Sequence, residues 1–185
     1  MPSGLSILVP AYNEEQTIVS ILELLFQTQL PDNMSKEVIV INDCSTDKTP
    51  ALLDDFASRY PELPLRILHC PRNQGKGAAI RQAIALASLD FLVVQDADLE
   101  YDPAEFKVLL APLMAGKADV VYGSRFMGGQ AAPNSLFWAY DGQQVPDIPE
   151  QCLNEFESYG HGNLLQDDAD FGGSRPEAAR KPFWL

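Results

Sequence analysis

Two carboxylates bracket one small residue at Asp96-Ala-Asp98, directly after the apolar run Phe91-Leu-Val-Val-Gln95. Like charges this close repel unless a cation sits between them. A hard divalent ion does this, and Mg²⁺ takes one or two protein carboxylates plus substrate phosphates. The pair therefore reads as a bracket for a metal–diphosphate complex. Polar and acidic residues recur where two other apolar runs end, at Pro10-Ala-Tyr-Asn-Glu-Glu15 and at Asn42-Asp43. In open α/β sheets, ligands gather beyond the carboxyl ends of the strands. An isolated Asp at such a turn more often caps a helix, and that is the reading for Asp47.

Positioning these residues requires strands that deliver them to one edge. Runs rich in β-branched residues occupy Leu5–Ala11, Glu37–Asp43, Leu65–Cys70 and Phe91–Asp98, with a fifth candidate at Asp119–Arg125. Runs apolar on both faces suit strands covered on both sides in a parallel sheet. Helical signals fall between them. Glu14–Thr28 carries a 3.6-residue stripe at Ile18, Ile21, Leu22 and Leu25. Asp47–Tyr60 places Pro50 near a helix start, where a missing N–H costs nothing. Gly75–Ser88 is rich in Ala and Ile, and Pro103–Ala115 ends just before Gly116. Strand alternating with helix predicts an open α/β sheet with right-handed crossovers. After about Gln130 the alternation stops.

Composition narrows the classes. The 185 residues, 46% hydrophobic, fit one folded domain. Thirteen Lys and Arg against 26 Asp and Glu give a net charge of −13, which excludes nucleic-acid binding by bulk charge. No run of about 18 apolar residues encodes a membrane span, and the first residues lack the signature of a signal peptide. Cys44, Cys70 and Cys152 are too few and scattered for a disulfide framework or a zinc site. A cytoplasmic location is the expectation. Cys44 reads as a small packing residue and His69 as a capping or surface residue.

The order and spacing of four motifs add a specific resemblance. Val9-Pro-Ala-Tyr-Asn-Glu-Glu15, Val40-Ile-Asn-Asp-Cys-Ser-Thr-Asp47, Arg72-Asn-Gln-Gly-Lys-Gly77 and Val94-Gln-Asp-Ala-Asp-Leu-Glu100 together resemble a family 2 glycosyltransferase. Tyr101-Asp-Pro103 and Gly123-Ser-Arg-Phe126 bring it nearest the dolichyl-phosphate mannosyltransferase and polyprenyl-phosphate glycosyltransferase branch. The resemblance covers residues 4–130. It implies a GT-A fold, a mostly parallel sheet flanked by helices. It also implies an inverting, metal-assisted transfer from a nucleoside-diphosphate sugar (GDP-mannose or a UDP-sugar) to a polyprenyl or dolichyl phosphate. Pro10, Tyr12 and Glu14 would then line the nucleotide pocket, with Ile41 and Asp43 near the base. Asp96, Ala97 and Asp98 match the metal motif for Mg²⁺ or Mn²⁺, with Glu100 as a further ligand. Arg125 would approach the phosphates. Lys76 is a weaker candidate, since Gly-Lys-Gly at a helix start also supplies N–H groups and positive charge near phosphate. A lipid phosphate is already anionic and needs little from a general base. Such an acceptor implies peripheral contact with the cytoplasmic membrane face.

Residues 131–185 depart from that branch, whose Thr-Asp-Met-Glu-Thr-Cys-Tyr-Lys and Arg-Phe-Gly-Phe-Glu segments are missing. Suitable codons for Glu155–Asp168, read one base later, spell Thr-Asp-Met-Glu-Thr-Cys-Tyr-Lys. The same offset yields Leu-Tyr-Phe from Ser135–Gln144 and Arg-Phe-Gly-Phe from Pro182–Leu185. The expectation is therefore a frameshift near Gln130–Ala131. It predicts a donor-binding part at 1–130 and a fold incomplete on its C-terminal side. Residues 131–185 would be a poorly ordered, out-of-frame tail, with Trp138 and Trp184 loosely held. Two other readings stay open: a donor-binding remnant without transfer, and a module whose acidic tail engages a basic partner.

Overall fold

The computed structural model describes residues 4–118, 120–122, 138–141 and 183–184. Strands β1 (Gly4–Ala11), β2 (Ser35–Asn42), β3 (Leu65–His69) and β4 (Phe91–Val94) alternate with helices α1 (Ile18–Gln27), α2 (Thr49–Arg59) and α3 (Lys76–Leu86). A 3₁₀ turn at Pro103–Glu105 leads into α4 (Phe106–Met114), followed by β5 (Val120–Tyr122), β6 (Trp138–Asp141) and β7 (Phe183–Trp184). The described strands form one sheet in the order β3-β2-β1-β4-β6-β5-β7. β3, β2, β1 and β4 are mutually parallel, as the apolar runs predict. β6 runs antiparallel to both β4 and β5, and β7 pairs parallel to β5. The chain steps outward from β1 to β3 and returns to β4 on the other side of β1. That reversal opens a crevice at the carboxyl ends of β1 and β4, the usual ligand position in such sheets.

Alternation along the central strands builds a core on each face. Leu5, Ile7 and Val9 of β1 pack with Ile18, Ile21, Leu22 and Leu25 of α1, Phe56 of α2 and Phe106, Leu109 and Leu113 of α4. Leu8, Ile39, Ile41 and Leu92 face the opposite way, onto Ala79, Ile80 and Ala83 of α3. The stripe read for α1 is fully buried. Pro50 lies in the first turn of α2, and Gly116, at φ 61°, closes α4 with its N–H on the Leu113 carbonyl.

Several boundaries differ from the reading of the sequence. β3 is an edge strand, with Leu68 38% exposed, so its apolar run is not covered on both sides. α1 begins at Ile18 because Glu14–Thr17 form a preceding turn on the Glu14 carbonyl. β4 ends at Val94. The Gln95 N–H adds one more bond to the Leu8 carbonyl, and the chain then leaves the sheet. Of the fifth candidate strand only Val120–Tyr122 is described; Asp119 and the Gly123-Ser-Arg stretch lie outside the described residues. Most of 131–185 lies outside them too, as do the side chains of Trp138 and Trp184. Within that stretch the backbones of β6 and β7 belong to the sheet.

Candidate functional site

The loops after β1 and β2 are tied side to side. The Asn13 N–H donates to the Ser45 hydroxyl at 2.9 Å, and the Thr46 N–H donates to Asn13 Oδ1 at 2.8 Å. The Glu14 N–H donates to the Thr49 hydroxyl at 2.8 Å, and the Glu15 N–H to Asp47 Oδ2 at 3.1 Å. Asp47 also accepts from the Thr49 N–H at 2.9 Å, bracing the turn into α2 from one residue before its N-cap, Lys48, rather than capping the helix itself. Burial works to raise the Asp47 carboxyl; hydrogen bonds from Thr49 and Glu15 outweigh it and hold it below its ordinary value. Each loop leaving β1, β2 and β4 contains a left-handed non-glycine residue: Asn13 (φ 58°), Cys44 (φ 60°) and Leu99 (φ 63°). Such conformations cluster where a loop is held in a working shape.

Asp43 is 3% exposed and spans from β2 to the turn before α3. Its Oδ1 accepts from the Gln74 N–H at 2.9 Å, and its Oδ2 from the Gly75 N–H at 2.7 Å. Gly75, at φ 85°, adopts the backbone this turn needs. Asn73 closes the arrangement by donating Nδ2–H to the Asp43 carbonyl at 3.2 Å. The N–H of Gly75, part of the Gly-Lys-Gly read as a phosphate donor, is thus directed at Asp43, together with that of Gln74.

Lys76 opens α3 and reaches across to β4's loop. Its ammonium lies 2.7 Å from Asp96 Oδ1 and 2.7 Å from Asp96 Oδ2. Asp98 is exposed and accepts the Glu100 N–H at 3.1 Å, which folds the loop back on itself. Gln95, fully buried, donates to the Asp96 and Tyr101 carbonyls and so anchors both ends of this loop. Burial raises the Glu14 carboxyl above its ordinary value; the Thr17 hydroxyl opposes this, and Asp98, Asp96 and Asp47 add repulsion in the same upward direction. Glu14, Asp96 and Asp98 therefore share one field.

These residues meet in a cleft of about 360 Å³ that includes Pro10, Tyr12, Glu14, Asp43, Lys76, Asp96, Ala97 and Asp98. Tyr12 is 47% exposed, its ring free to present a face. Three predicted residues are not among those lining it. Ile41 is fully buried against α3, Glu100 is exposed outside the lining, and Arg125 lies outside the described residues. Sequence reasoning missed Asn73, which lines the cleft, and Asn13, Thr49 and Gln95, which hold its loops; Gly75, also in the lining, entered only as part of Gly-Lys-Gly. His69 is exposed, a surface residue as expected, and its ring also meets Asn42 Nδ2 at 2.8 Å and Asp54 Oδ1 at 3.2 Å. Cys44 and Cys70 are free thiols, and burial raises that of Cys70.

Asp96 and Asp98 offer hard carboxylate oxygens. Among the described residues no set of three or more His, Cys, Asp or Glu side chains is arranged to hold a metal alone. Two such carboxylates suit an ion that takes one or two protein carboxylates and completes its shell on substrate phosphates. Fold and cleft together make an open α/β protein with its ligand crevice at the strand-order reversal.

The comparisons agree on the family. The model of Glycosyl transferase family 2 matches residues 6–142, and the chain belongs to that family. A dolichol-phosphate mannosyltransferase of Pyrococcus furiosus is 26% identical over 72% of this chain and 36% of its own length. A dolichyl-phosphate beta-glucosyltransferase of Trichomonas vaginalis is 34% identical over 71% of this chain and 43% of its own. The chain thus spans under half the length of these curated relatives. A mannosyltransferase from Pyrobaculum calidifontis, solved in complex with GDP-Man and Mn²⁺, superposes with a TM-score of 0.65 at 20% identity. That match covers 80% of this chain and 47% of the other, and it shows the shared fold. Among the described residues no helix is long and apolar enough to cross a membrane.

Proposed function

We propose that this chain binds a nucleoside-diphosphate sugar, GDP-mannose or a UDP-sugar, in the cleft between β1 and β4. It transfers the hexose to a polyprenyl or dolichyl phosphate presented at a membrane surface. The carrying observation is the convergence of Tyr12, Asp43, Lys76, Asp96 and Asp98 on one cleft at the strand-order reversal. The Tyr12 ring offers a stacking face for the base, and the buried Asp43 carboxylate offers an acceptor beside it. Lys76 supplies positive charge toward a diphosphate at the start of α3. Asp96 and Asp98 would hold Mg²⁺ or Mn²⁺, which stabilises the charge on a departing nucleoside diphosphate. The lipid phosphate attacks as an anion, so no protein base is required. A single displacement inverts the anomeric centre.

The test is transfer of labelled sugar from GDP-mannose or a UDP-sugar to polyprenyl phosphate in vesicles, with and without Mn²⁺. A labelled lipid product of inverted configuration supports the reading. Donor binding without product supports a donor-binding remnant, and neither supports a tail-dependent module. The one-base offset of residues 131–185 is a proposal of the same kind. The coding DNA across codons 125–185 decides it: the offset frame must contain Thr-Asp-Met-Glu-Thr-Cys-Tyr-Lys.

A further inference from the structure

Charge in the cleft is unbalanced in a specific way. Among its described lining residues stand four carboxylates, Glu14, Asp43, Asp96 and Asp98, and one ammonium, Lys76. Asp43 is satisfied by the Gln74 and Gly75 N–H groups, so the imbalance falls on the other three. A donor diphosphate carries further negative charge into this space, and repulsion opposes its entry. Lys76 is committed to Asp96 through both carboxylate oxygens, at 2.7 Å each. The pair is not locked in the core: the side chains are 37% and 20% exposed. A partly solvated pair of this kind can exchange partners, and a lysine stem swings its charge freely.

We propose that Lys76 is the internal counter-cation of the cleft, holding Asp96 while no donor is present. It yields Asp96 to a divalent ion on donor entry and turns its ammonium to the diphosphate. The inference rests on the proposed function and deepens it, because it assigns an order. Lys76 competes with the ion for Asp96 in the empty cleft and cooperates with it in the filled one. The bare ion is then held poorly, and the ion together with the nucleotide is held well. A lysine serving only to brace α3 against β4 has no such opposed effects.

Mn²⁺ binding by the full chain, read from the free-ion signal in electron paramagnetic resonance, separates these roles. Lys76→Gln should bind Mn²⁺ alone about fivefold tighter than the parent, the scale of losing one competing surface ion pair. The same variant should bind GDP or UDP in the presence of Mn²⁺ about tenfold more weakly, the scale of one charge-assisted phosphate contact. The gain in bare-ion affinity should vanish when Asp96→Asn is added. Lys76→Arg, which keeps the charge, should retain weak bare-ion binding and serves as a second variant if the glutamine destabilises the fold. Effects of the same sign in both arms, or no change in bare-ion affinity, overturn the inference. A parent chain that binds neither GDP nor UDP contradicts the proposed function instead, while the bare-ion arm still decides whether Lys76 competes for Asp96.

Discussion

The two ends of the parallel sheet both carry acidic side chains, and they treat them in opposite ways. At the amino ends of the strands, Glu37 is 6% exposed and fully engaged. Its Oε1 accepts from the Ser6 hydroxyl at 2.7 Å, the Ser88 N–H at 2.7 Å and the Ser88 hydroxyl at 3.0 Å. Its other oxygen lies 3.6 Å from Arg66, whose Nη1 donates to the Leu86 carbonyl. That network pins the end of α3 to β1, β2 and β3. At the carboxyl ends, Glu14, Asp96 and Asp98 repel one another around one ammonium. A carboxylate answered on every side is part of the scaffold. A group of them left in mutual repulsion marks where something cationic belongs.

Breaking the satisfied end should cost the most stability. Glu37→Ala leaves the Ser6 hydroxyl and the Ser88 N–H without their acceptor and Arg66 without its carboxylate partner, and should destabilise by about 3 kcal/mol in urea unfolding. Nucleotide affinity of the folded fraction should hold. At the other end, Asp47→Ala removes the brace of the turn into α2 and the acceptor for Glu15, for an expected loss of about 1–2 kcal/mol by the same measurement. Cys44→Gly relieves a left-handed residue at φ 60° and should be neutral or stabilising by up to about 1 kcal/mol.

The smallest effect is the pH response of Glu14. Its folded pKa is raised, chiefly by burial, so ionisation costs the fold stability. The penalty is absent below the unfolded value of 4.5, appears as pH rises through the folded value, and is complete above it. Glu14→Gln should remove that loss. At neutral pH the gain should not exceed about 0.5 kcal/mol, because the group is partly solvated. Unfolding midpoints at pH 4 and pH 7 check it, and a larger gain at pH 4 contradicts the sign.

The satisfied end and the strained end were not equally legible in the sequence. The strand-end rule delivered Tyr12, Glu14, Asp43, Asp96 and Asp98 because each directly follows an apolar run, and those runs became β1, β2 and β4. It missed Asn73, which follows β3 by several residues in a turn that no apolar run announces. The Lys76–Asp96 pair joins two separate strand–helix units, so no local spacing reveals it. Glu37 opens its run and reads as part of a strand; its partner Ser6 becomes visible only in the register of β1 on β2, and Ser88 only once α3 returns the chain beside it. β3 shows the limit of reading by apolar content: Leu65–Cys70 reads as a covered strand, although Arg66 and His69 within it are marks of an edge.

If, as proposed, the repelling carboxylates take up a divalent ion together with a nucleoside diphosphate, nucleotide binding depends on the metal. Isothermal calorimetry of the chain with GDP and with UDP, each with and without Mn²⁺, tests it directly. Binding of one nucleotide should require the metal and fall at least about tenfold in Asp98→Ala, whose unfolding midpoint stays within about 0.5 kcal/mol of the parent's. Equal nucleotide binding with and without metal, or by Asp98→Ala and the parent alike, would contradict the account.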